Sequence, residues 1–290
     1  MRVLLIANRQ SRAAREEILG QAAAILRGEG CEVERRMPED PAELAATIAA
    51  EGPGADVIAI AGGDGTLNAA AEALVDAGRP LAVLPTGTGN DLARTLGVPL
   101  DPLEAVRLVT RGRRRWIDLG RANQKLFFNV ASVGLGAELI RHHTRDRKRR
   151  FWIFAYVLAV RDAWEELQPF TVQLDCDGES RQLRVLQLAV GNGRHYGGGM
   201  TVHEDATIDD QQLDVYAILP MPFWRLLTLV PALRRGRIRK LEEIEVIRCR
   251  TVEVATRESR AVNTDGEITT STPAQFSILP RALEVVVPPG

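Results

Sequence analysis

The chain has 290 residues and a formal net charge of −1, with 45% hydrophobic and 26% charged residues. These values are typical of a soluble globular protein of roughly two domains, and they exclude a disordered or collagen-like chain and a globally basic nucleic-acid-binding protein. Three widely spaced cysteines exclude a disulfide framework and favour a reducing compartment, and the longest apolar run, Phe151–Val160, is about half the ~20 residues that a membrane-spanning helix needs.

The first part of the chain alternates short apolar runs with helical patterns, which is typical of a parallel α/β sheet flanked by helices. Gly30 ends the first helix, and Asp40 with Pro41 begins the second one as N-cap and first helical residue. Strands are predicted at 3–7, 31–36, 56–61 and 81–84, and helices at 12–28, 41–50, 66–77, 90–96 and 102–110.

After Arg113 strand-like runs dominate, and turn signals such as Asp177-Gly178 and Asp265-Gly266 separate some of them. This pattern predicts an antiparallel β-sandwich with helical insertions near 136–166 and 222–235. We therefore expect an α/β domain over residues 1–112 and a β-sandwich domain over residues 113–290. Its strands are predicted at 125–132, 170–176, 184–190, 213–219, 244–247, 251–255, 274–279 and 283–287.

A glycine-rich segment, Gly62-Gly63-Asp64-Gly65-Thr66-Leu67-Asn68, links the third predicted strand to a helix. Glycines at such a turn let backbone N–H groups approach a phosphate, and the N-terminus of the helix adds a positive partial charge. An ordinary strand-to-helix turn with Thr66 as N-cap explains one or two glycines, but not three around an aspartate. The segment therefore favours an anion-binding site.

A second turn of this kind, Pro85-Thr86-Gly87-Thr88-Gly89-Asn90-Asp91, follows the next predicted strand. Because α/β sheets bind ligands outside the carboxyl ends of their strands, we expect both turns to line one edge of the sheet. Neither turn is followed by lysine, which excludes a Walker A loop, and the chain has no complete G-x-G-x-x-G fingerprint for a dinucleotide.

The two turns, together with Gly191-Asn192-Gly193, Asp209-Asp210 and Asp265-Gly266-Glu267, resemble the diacylglycerol kinase catalytic-domain family. That family includes bacterial lipid kinases, sphingosine kinases and ceramide kinases, although the first turn alone is shared with NAD kinases and phosphofructokinases. The resemblance covers nearly the whole chain and implies an α/β nucleotide domain followed by a β-sandwich, with ATP in the cleft. It implies that ATP contacts Asn8, Ser11, Gly62, Gly63, Asp64, Gly65, Thr66, Leu67, Asn68, Thr88, Asn90 and Asp91.

The resemblance further implies a Mg²⁺ site and a catalytic base. Asp210 would bind Mg²⁺ through its side chain, together with the backbone carbonyls of Thr207 and Gln212, and oxygen ligands suit this hard cation. Asp64 would order Mg²⁺ and phosphate through water, and Glu267 would accept the proton of the attacking hydroxyl. From the residues alone, an ordinary surface turn at Asp210 and an exposed hairpin acid at Glu267 remain open.

A basic cluster, Arg141–Arg150, holds six cations and one acid, and the aromatic run Phe151–Tyr156 follows it directly. Cations for anionic headgroups beside rings for the acyl boundary are typical of an interfacial helix, which favours transient contact with an anionic membrane surface. A second group of five cations lies within 233–240. The alternatives are a solvated arginine face and an insertion helix that packs on the sandwich.

These observations indicate a cytoplasmic lipid kinase that works at the inner face of the membrane and transfers the γ-phosphoryl group of ATP to a lipid hydroxyl, such as that of diacylglycerol. No nucleic-acid partner is expected. Two alternatives remain: an NAD kinase-like phosphotransferase, and a catalytically weak lipid-binding or regulatory protein of the same fold. The sequence does not determine the oligomeric state, and a homodimer is one option.

Overall fold

A computed structural model describes residues 1–7, 12–134, 168–193, 195–196, 200–201, 207–222, 225 and 242–289. Its first part alternates strands and helices, as the sequence predicts. The strands are β1 (Arg2–Ala7), β2 (Glu32–Arg36), β3 (Val57–Gly62) and β4 (Leu81–Pro85), and they run parallel in the order β2-β1-β3-β4. The helices are α1 (Arg12–Gly28), α2 (Pro41–Glu51), α3 (Asp64–Ala77), α4 (Asp91–Leu96), α5 (Pro102–Val106) and α6 (Leu108–Arg111).

The parallel strands are buried on both faces, which explains their continuous apolar sequences. One hydrophobic cluster packs α2 and α3 on the first face, and another packs α1 on the second face. The predicted opening of α2 is confirmed, because Pro41 is its first residue and the Asp40 side chain accepts a hydrogen bond from the backbone N–H of Glu43.

The rest of the described chain is built of strands. These are β5 (Arg113–Ala122), β6 (Lys125–Phe127), β7 (Val130–Gly134), β8 (Phe170–Cys176), β9 (Glu179–Val185), β10 (Gln187–Gly191), β11 (His195–Tyr196), β12 (Met200–Thr201), β13 (Leu213–Ile218), β14 (Ile244–Cys249), β15 (Thr251–Thr256), β16 (Ala261–Thr264), β17 (Glu267–Ser271) and β18 (Ala274–Val287). Six of them form an antiparallel sheet in the order β14-β13-β10-β7-β16-β17. A hydrophobic cluster joins this sheet to β8, β15 and the first half of β18, which confirms the predicted sandwich.

The last strand, β18, connects the two halves of the molecule. It pairs antiparallel with β15 and β5, and Val285 pairs parallel with Leu81 of β4. The parallel sheet therefore continues into the sandwich as one ten-stranded sheet in the order β2-β1-β3-β4-β18-β15-β8-β9, with β5 and β6 attached through β18. The two predicted strands at 274–279 and 283–287 are a single strand whose pairing with β5 shifts register between Leu279 and Leu283.

The predicted helical insertions near 136–166 and 222–235 lie almost entirely outside the described residues. Within the described ranges, no helix combines the length and the apolar character needed to cross a bilayer.

Candidate active site

The two glycine-rich turns meet at the carboxyl edge of the parallel sheet, as predicted. The backbone N–H of Thr86 donates to the carbonyl of Gly62 at 3.0 Å. A Cβ atom built on Gly63 would lie 2.9 Å from the Cα of Gly87, and one built on Gly87 would lie 2.5 Å from the Cα of Gly63. Only glycine permits this approach, because such distances between a Cβ and backbone atoms are far below van der Waals contact.

The first turn contributes both exposed and buried groups. Gly63 is the N-cap of α3, and residues 63–66 are partly exposed at the edge of the sheet. The Asp64 carboxylate accepts a hydrogen bond from the backbone N–H of Leu92 at 3.2 Å, which fixes the start of α4 to the start of α3. Leu67 and Asn68, which were also predicted to contact ATP, are buried, and Nδ2 of Asn68 donates to the carbonyl of Leu126.

Asn90 holds the second turn closed. Its φ of +53° lies in the left-handed region, which asparagine tolerates better than most residues. Its side-chain Oδ1 accepts from the backbone N–H of Gly87 and its Nδ2 donates to the carbonyl of Gly87, both at 3.0 Å. Thr88 is exposed at the tip of this turn. The Asn90 amide is therefore used to shape the turn, whereas Thr88 is free to face a ligand.

Glu267 reaches this edge from the six-stranded sheet. A Cβ atom built on Gly65 would lie 3.4 Å from Oε1 of Glu267, so the carboxylate faces the first turn across a chain separation of about two hundred residues. Glu267 is exposed and lies directly after a turn in which Asp265 and Gly266 have φ values of +48° and +99°. The structure thus brings Glu267, the predicted base, next to the first glycine turn.

Asp265 anchors that turn and is not available as a base. Its Oδ2 accepts from the backbone N–H of Phe128 at 2.6 Å and from Nδ2 of Asn68 at 3.2 Å, and its Oδ1 accepts from the N–H groups of Asn129 and Val130 at 2.9 and 3.0 Å. Asp265 stands at a partly exposed turn, but these donors enclose its carboxylate, and burial raises its pKa to about 6. Asp265 therefore links α3, the β6–β7 connection and the turn that carries Glu267.

Two asparagines extend this network across the cleft. Nδ2 of Asn192 donates to the carbonyls of Phe128 and Asp118 at 2.7 and 2.9 Å, while the Asn129 carbonyl accepts from the N–H of Asn192. Oδ1 of Asn129 accepts from the Thr95 hydroxyl of α4 at 3.2 Å. Of these residues, only Asn192 belonged to a motif recognised in the sequence. Contacts between distant segments give no local sequence signal.

The segment predicted to bind Mg²⁺ forms a tight turn around Asp210. Its carboxylate accepts from the backbone N–H groups of Gln212 at 3.0 Å and Thr207 at 3.4 Å, and from Arg248 at 3.3 Å. Gln211 adopts a φ of +59° and donates its N–H to the buried carboxylate of Asp118 at 2.7 Å. The left-handed turn is therefore formed although a glutamine, and not a glycine, occupies this position.

The chemistry of this segment fits a hard divalent cation. Among the described residues, the four carboxylates of Asp118, Asp209, Asp210 and Asp214 have two arginine side-chain partners, Arg115 and Arg248. Burial raises the pKa of Asp210, and the neighbouring Asp214 raises it further, so an added cation would stabilise the ionised carboxylate. In the described part of the chain, no group of three or more His, Cys, Asp and Glu side chains forms a metal site. A cation at Asp210 would thus depend on backbone carbonyls as well.

Asn8 and Ser11, which were predicted to contact ATP, lie outside the described residues, and so does the basic cluster Arg141–Arg150. Conversely, Arg94 in α4 was not predicted to belong to the site, yet its Nε donates to the carbonyl of Gly89 in the second turn at 3.0 Å. Its place one helical turn after Asn90 was the available signal.

Comparison with known proteins agrees with this geometry. A family model described as "Diacylglycerol kinase catalytic domain" matches residues 2–122, and one described as "YegS C-terminal NAD kinase beta sandwich-like domain" matches residues 129–287. The chain belongs to the diacylglycerol kinase catalytic-domain family. The predicted family, its two-part architecture and its kinase class are therefore confirmed, and the identity of the acceptor stays a prediction.

Relatives match over most of the chain. A Pseudomonas aeruginosa protein named "Probable lipid kinase YegS-like" is 38% identical over 233 residues, which are 79% of this chain and 76% of that protein. A Mycobacterium tuberculosis protein named "Diacylglycerol kinase" is 33% identical over 254 residues, 84% of this chain and 80% of that protein. A diacylglycerol kinase structure from Bacillus anthracis superimposes with a TM-score of 0.75 at 22% identity, covering 99% of this chain and 97% of that chain. At this identity the structural likeness shows the fold alone.

Proposed function

We propose that this protein transfers the γ-phosphoryl group of ATP to a hydroxyl group of a membrane lipid such as diacylglycerol. The observation that carries the proposal is the position of the Glu267 carboxylate beside Gly65 of the first glycine turn. A phosphate site and an exposed carboxylate in contact with it are the two parts that phosphoryl transfer to an alcohol requires.

The glycine turns are suited to hold the phosphates of ATP. Gly63 precedes the N-terminus of α3, a helix of 14 residues, whose free N–H groups and dipole favour an anion. The close approach of Gly63 and Gly87 brings the backbones of the two turns together, and the Asn90 amide braces the second turn from the side of Gly87. Phosphoryl transfer depends mainly on positioning and on charge neutralisation, so a rigid backbone cradle is the main contribution of this edge.

Glu267 is suited to accept the proton of the lipid hydroxyl. Its side chain is exposed, so an acceptor can reach it, and its turn is fixed by the hydrogen bonds of Asp265 to the β6–β7 connection. Asp64 lies in the first glycine turn and is partly exposed, so its carboxylate can order water near the phosphates.

Mg²⁺ is the proposed cofactor, and Asp210 with the carbonyls of Thr207 and Gln212 would hold it. When bound, Mg²⁺ supplies positive charge that offsets the four carboxylates of this segment. The segment connects to the cleft through Asp118, which accepts from Gln211, and whose carbonyl accepts from Asn192. Asp210 thus acts on the cleft through the position of these backbone groups.

The cellular site that fits this reaction is the inner face of the membrane, reached from the cytoplasm through the basic cluster Arg141–Arg150. This part of the proposal rests on the sequence of the cluster, six cations followed by aromatic residues. The oligomeric state stays open.

The decisive experiment incubates the protein with γ-³²P-labelled ATP, Mg²⁺ and vesicles of a total lipid extract, and then separates the lipids. We expect one lipid class to acquire label, and we expect Glu267→Gln to lower the rate of labelling by about 10²–10⁴-fold. Glu258→Gln is the matched control, because Glu258 is an exposed glutamate of the same half of the molecule and stands outside the cleft residues. Label on added NAD and none on lipid would establish the NAD kinase-like alternative. If the wild-type protein labels neither lipid nor NAD, the result overturns the proposal and favours the regulatory alternative.

A further inference from the structure

The cleft described above is rich in negative charge. Asp64, Asp91, Asp265 and Glu267 all lie on or against the two glycine turns. The triphosphate of ATP is itself strongly anionic, so a site that holds it needs cations in addition to the backbone N–H groups of the turns. The chain has no lysine before Lys125, and so the usual lysine of a phosphate loop is absent from the α/β half.

Arg94 is the described cation that meets this need. Within the described ranges, it is the cationic side chain that donates a hydrogen bond to either turn, from Nε to the carbonyl of Gly89 at 3.0 Å. The contact fixes the plane of the guanidinium group beside the second turn. It uses one of the five N–H donors of an exposed side chain, and among the described residues the Nη groups make no hydrogen bond.

The start of α4 holds Arg94 in this position. The backbone N–H of Arg94 donates to the carbonyl of Asn90 at 3.0 Å, and Asn90 in turn closes on Gly87. Arg94 and the glycine that approaches Gly63 are therefore joined through a short chain of hydrogen bonds. A guanidinium group positioned in this way presents paired donors that match two oxygens of a phosphate.

We propose that Arg94 binds the phosphate chain of ATP through its guanidinium Nη groups and supplies positive charge beside the second glycine turn. The inference rests on the proposed function, because it takes ATP as the ligand of the two turns. Arg94 would then be a substrate-binding residue whose Nε contact with Gly89 also orients it. The alternative is a purely structural role, in which the Nε contact stabilises the turn and the Nη groups bind nothing.

Binding measurements with ATP and with adenosine separate these roles. We expect Arg94→Gln to weaken ATP binding about ten- to hundredfold, the usual effect of losing hydrogen bonds to a charged group. Adenosine, which has no phosphate, should bind within twofold of wild type. Arg94→Lys keeps the charge but not the paired donors, and its loss should be intermediate. Titration calorimetry measures ATP, and competition with a fluorescent ATP analogue measures adenosine.

Arg79→Gln is the matched control, because Arg79 also donates to a loop carbonyl, that of Pro53, at a distance from the glycine turns. It should bind both ligands as wild type does. If the Arg94 variants lose affinity for ATP and adenosine equally, or lose none, the inference is overturned. ATP binding by the wild-type protein would still support the nucleotide assignment in that case. Absence of ATP binding by the wild-type protein would instead overturn the proposed function, and the role of Arg94 with it.

Discussion

Replacing Gly87 by alanine tests whether the contact between the two glycine turns creates the nucleotide site. The new Cβ would lie 2.5 Å from the Cα of Gly63 and 2.8 Å from Oδ1 of Asn90. A carbon–carbon contact needs about 3.5 Å or more, so the turns must separate by about 1 Å. Overpacking of this kind costs about 1–3 kcal/mol. We expect the free energy of unfolding to fall by that amount. We expect the affinity for ATP to fall at least tenfold, because separating the turns moves the backbone N–H groups proposed to bind the phosphates.

Urea unfolding and ATP titration measure the two effects, and a graded series of alanine variants controls them. Gly54→Ala adds a methyl group with nothing within 4 Å, so it should leave ATP affinity unchanged. Gly65→Ala places its Cβ 3.4 Å from the flexible carboxylate of Glu267, so it should affect turnover more than stability. Wild-type stability and ATP affinity in Gly87→Ala would refute the assignment of the cradle.

Four further predictions concern the acids and the basic cluster. Glu267→Gln should lower turnover by about 10²–10⁴-fold with little change in ATP affinity, and steady-state kinetics that show near-normal turnover would place the base elsewhere. Asp210→Asn should raise the Mg²⁺ concentration needed for half-maximal activity, and excess Mg²⁺ should restore much of the rate. Asp265 has a folded-state pKa of about 6, raised from 3.8 by burial, so its contribution to stability is lost as the pH rises through about 6. The free energy of unfolding of the wild type minus that of Asp265→Asn should therefore be larger at pH 5 than at pH 7.5. Changing the arginines of Arg147–Arg150 to glutamine should weaken binding to anionic vesicles strongly at low salt and weakly at high salt, as sedimentation would show.

Local patterns were sufficient to predict the parallel strands, their helices and the meeting of the two glycine turns. A glycine turn after a buried strand is a local signal, and the geometry of parallel sheets then places successive turns together. By contrast, β5 was not predicted, because it begins with Arg113, Arg114 and Arg115, which give no apolar alternation. It is a strand because β18 pairs with it along its whole length.

For the candidate site, the sequence indicates residues but not the contacts between them. The hydrogen bond between Asn68 and Asp265 joins positions 197 residues apart, and the local sequence around either residue does not indicate the contact. The same holds for the approach of Glu267 to Gly65. The role of Asp265 as an anchor that accepts from four N–H donors was likewise not visible in the sequence. Such roles are set by tertiary packing, which a single sequence does not display.

The pairing of β18 with β4 and β5 has a consequence for the order in which the molecule is made. During synthesis the edge of β4 stays open until residues 274–287 have left the ribosome, although β4 itself emerges in the first third of the chain. An unpaired strand edge is prone to association with other chains. The turn after β4, part of the proposed ATP site, therefore gains its final support only after β18 has been synthesised. In a nascent or truncated chain without β18, the second glycine turn would be incompletely supported and the neighbouring edge of β4 would be unpaired and prone to association.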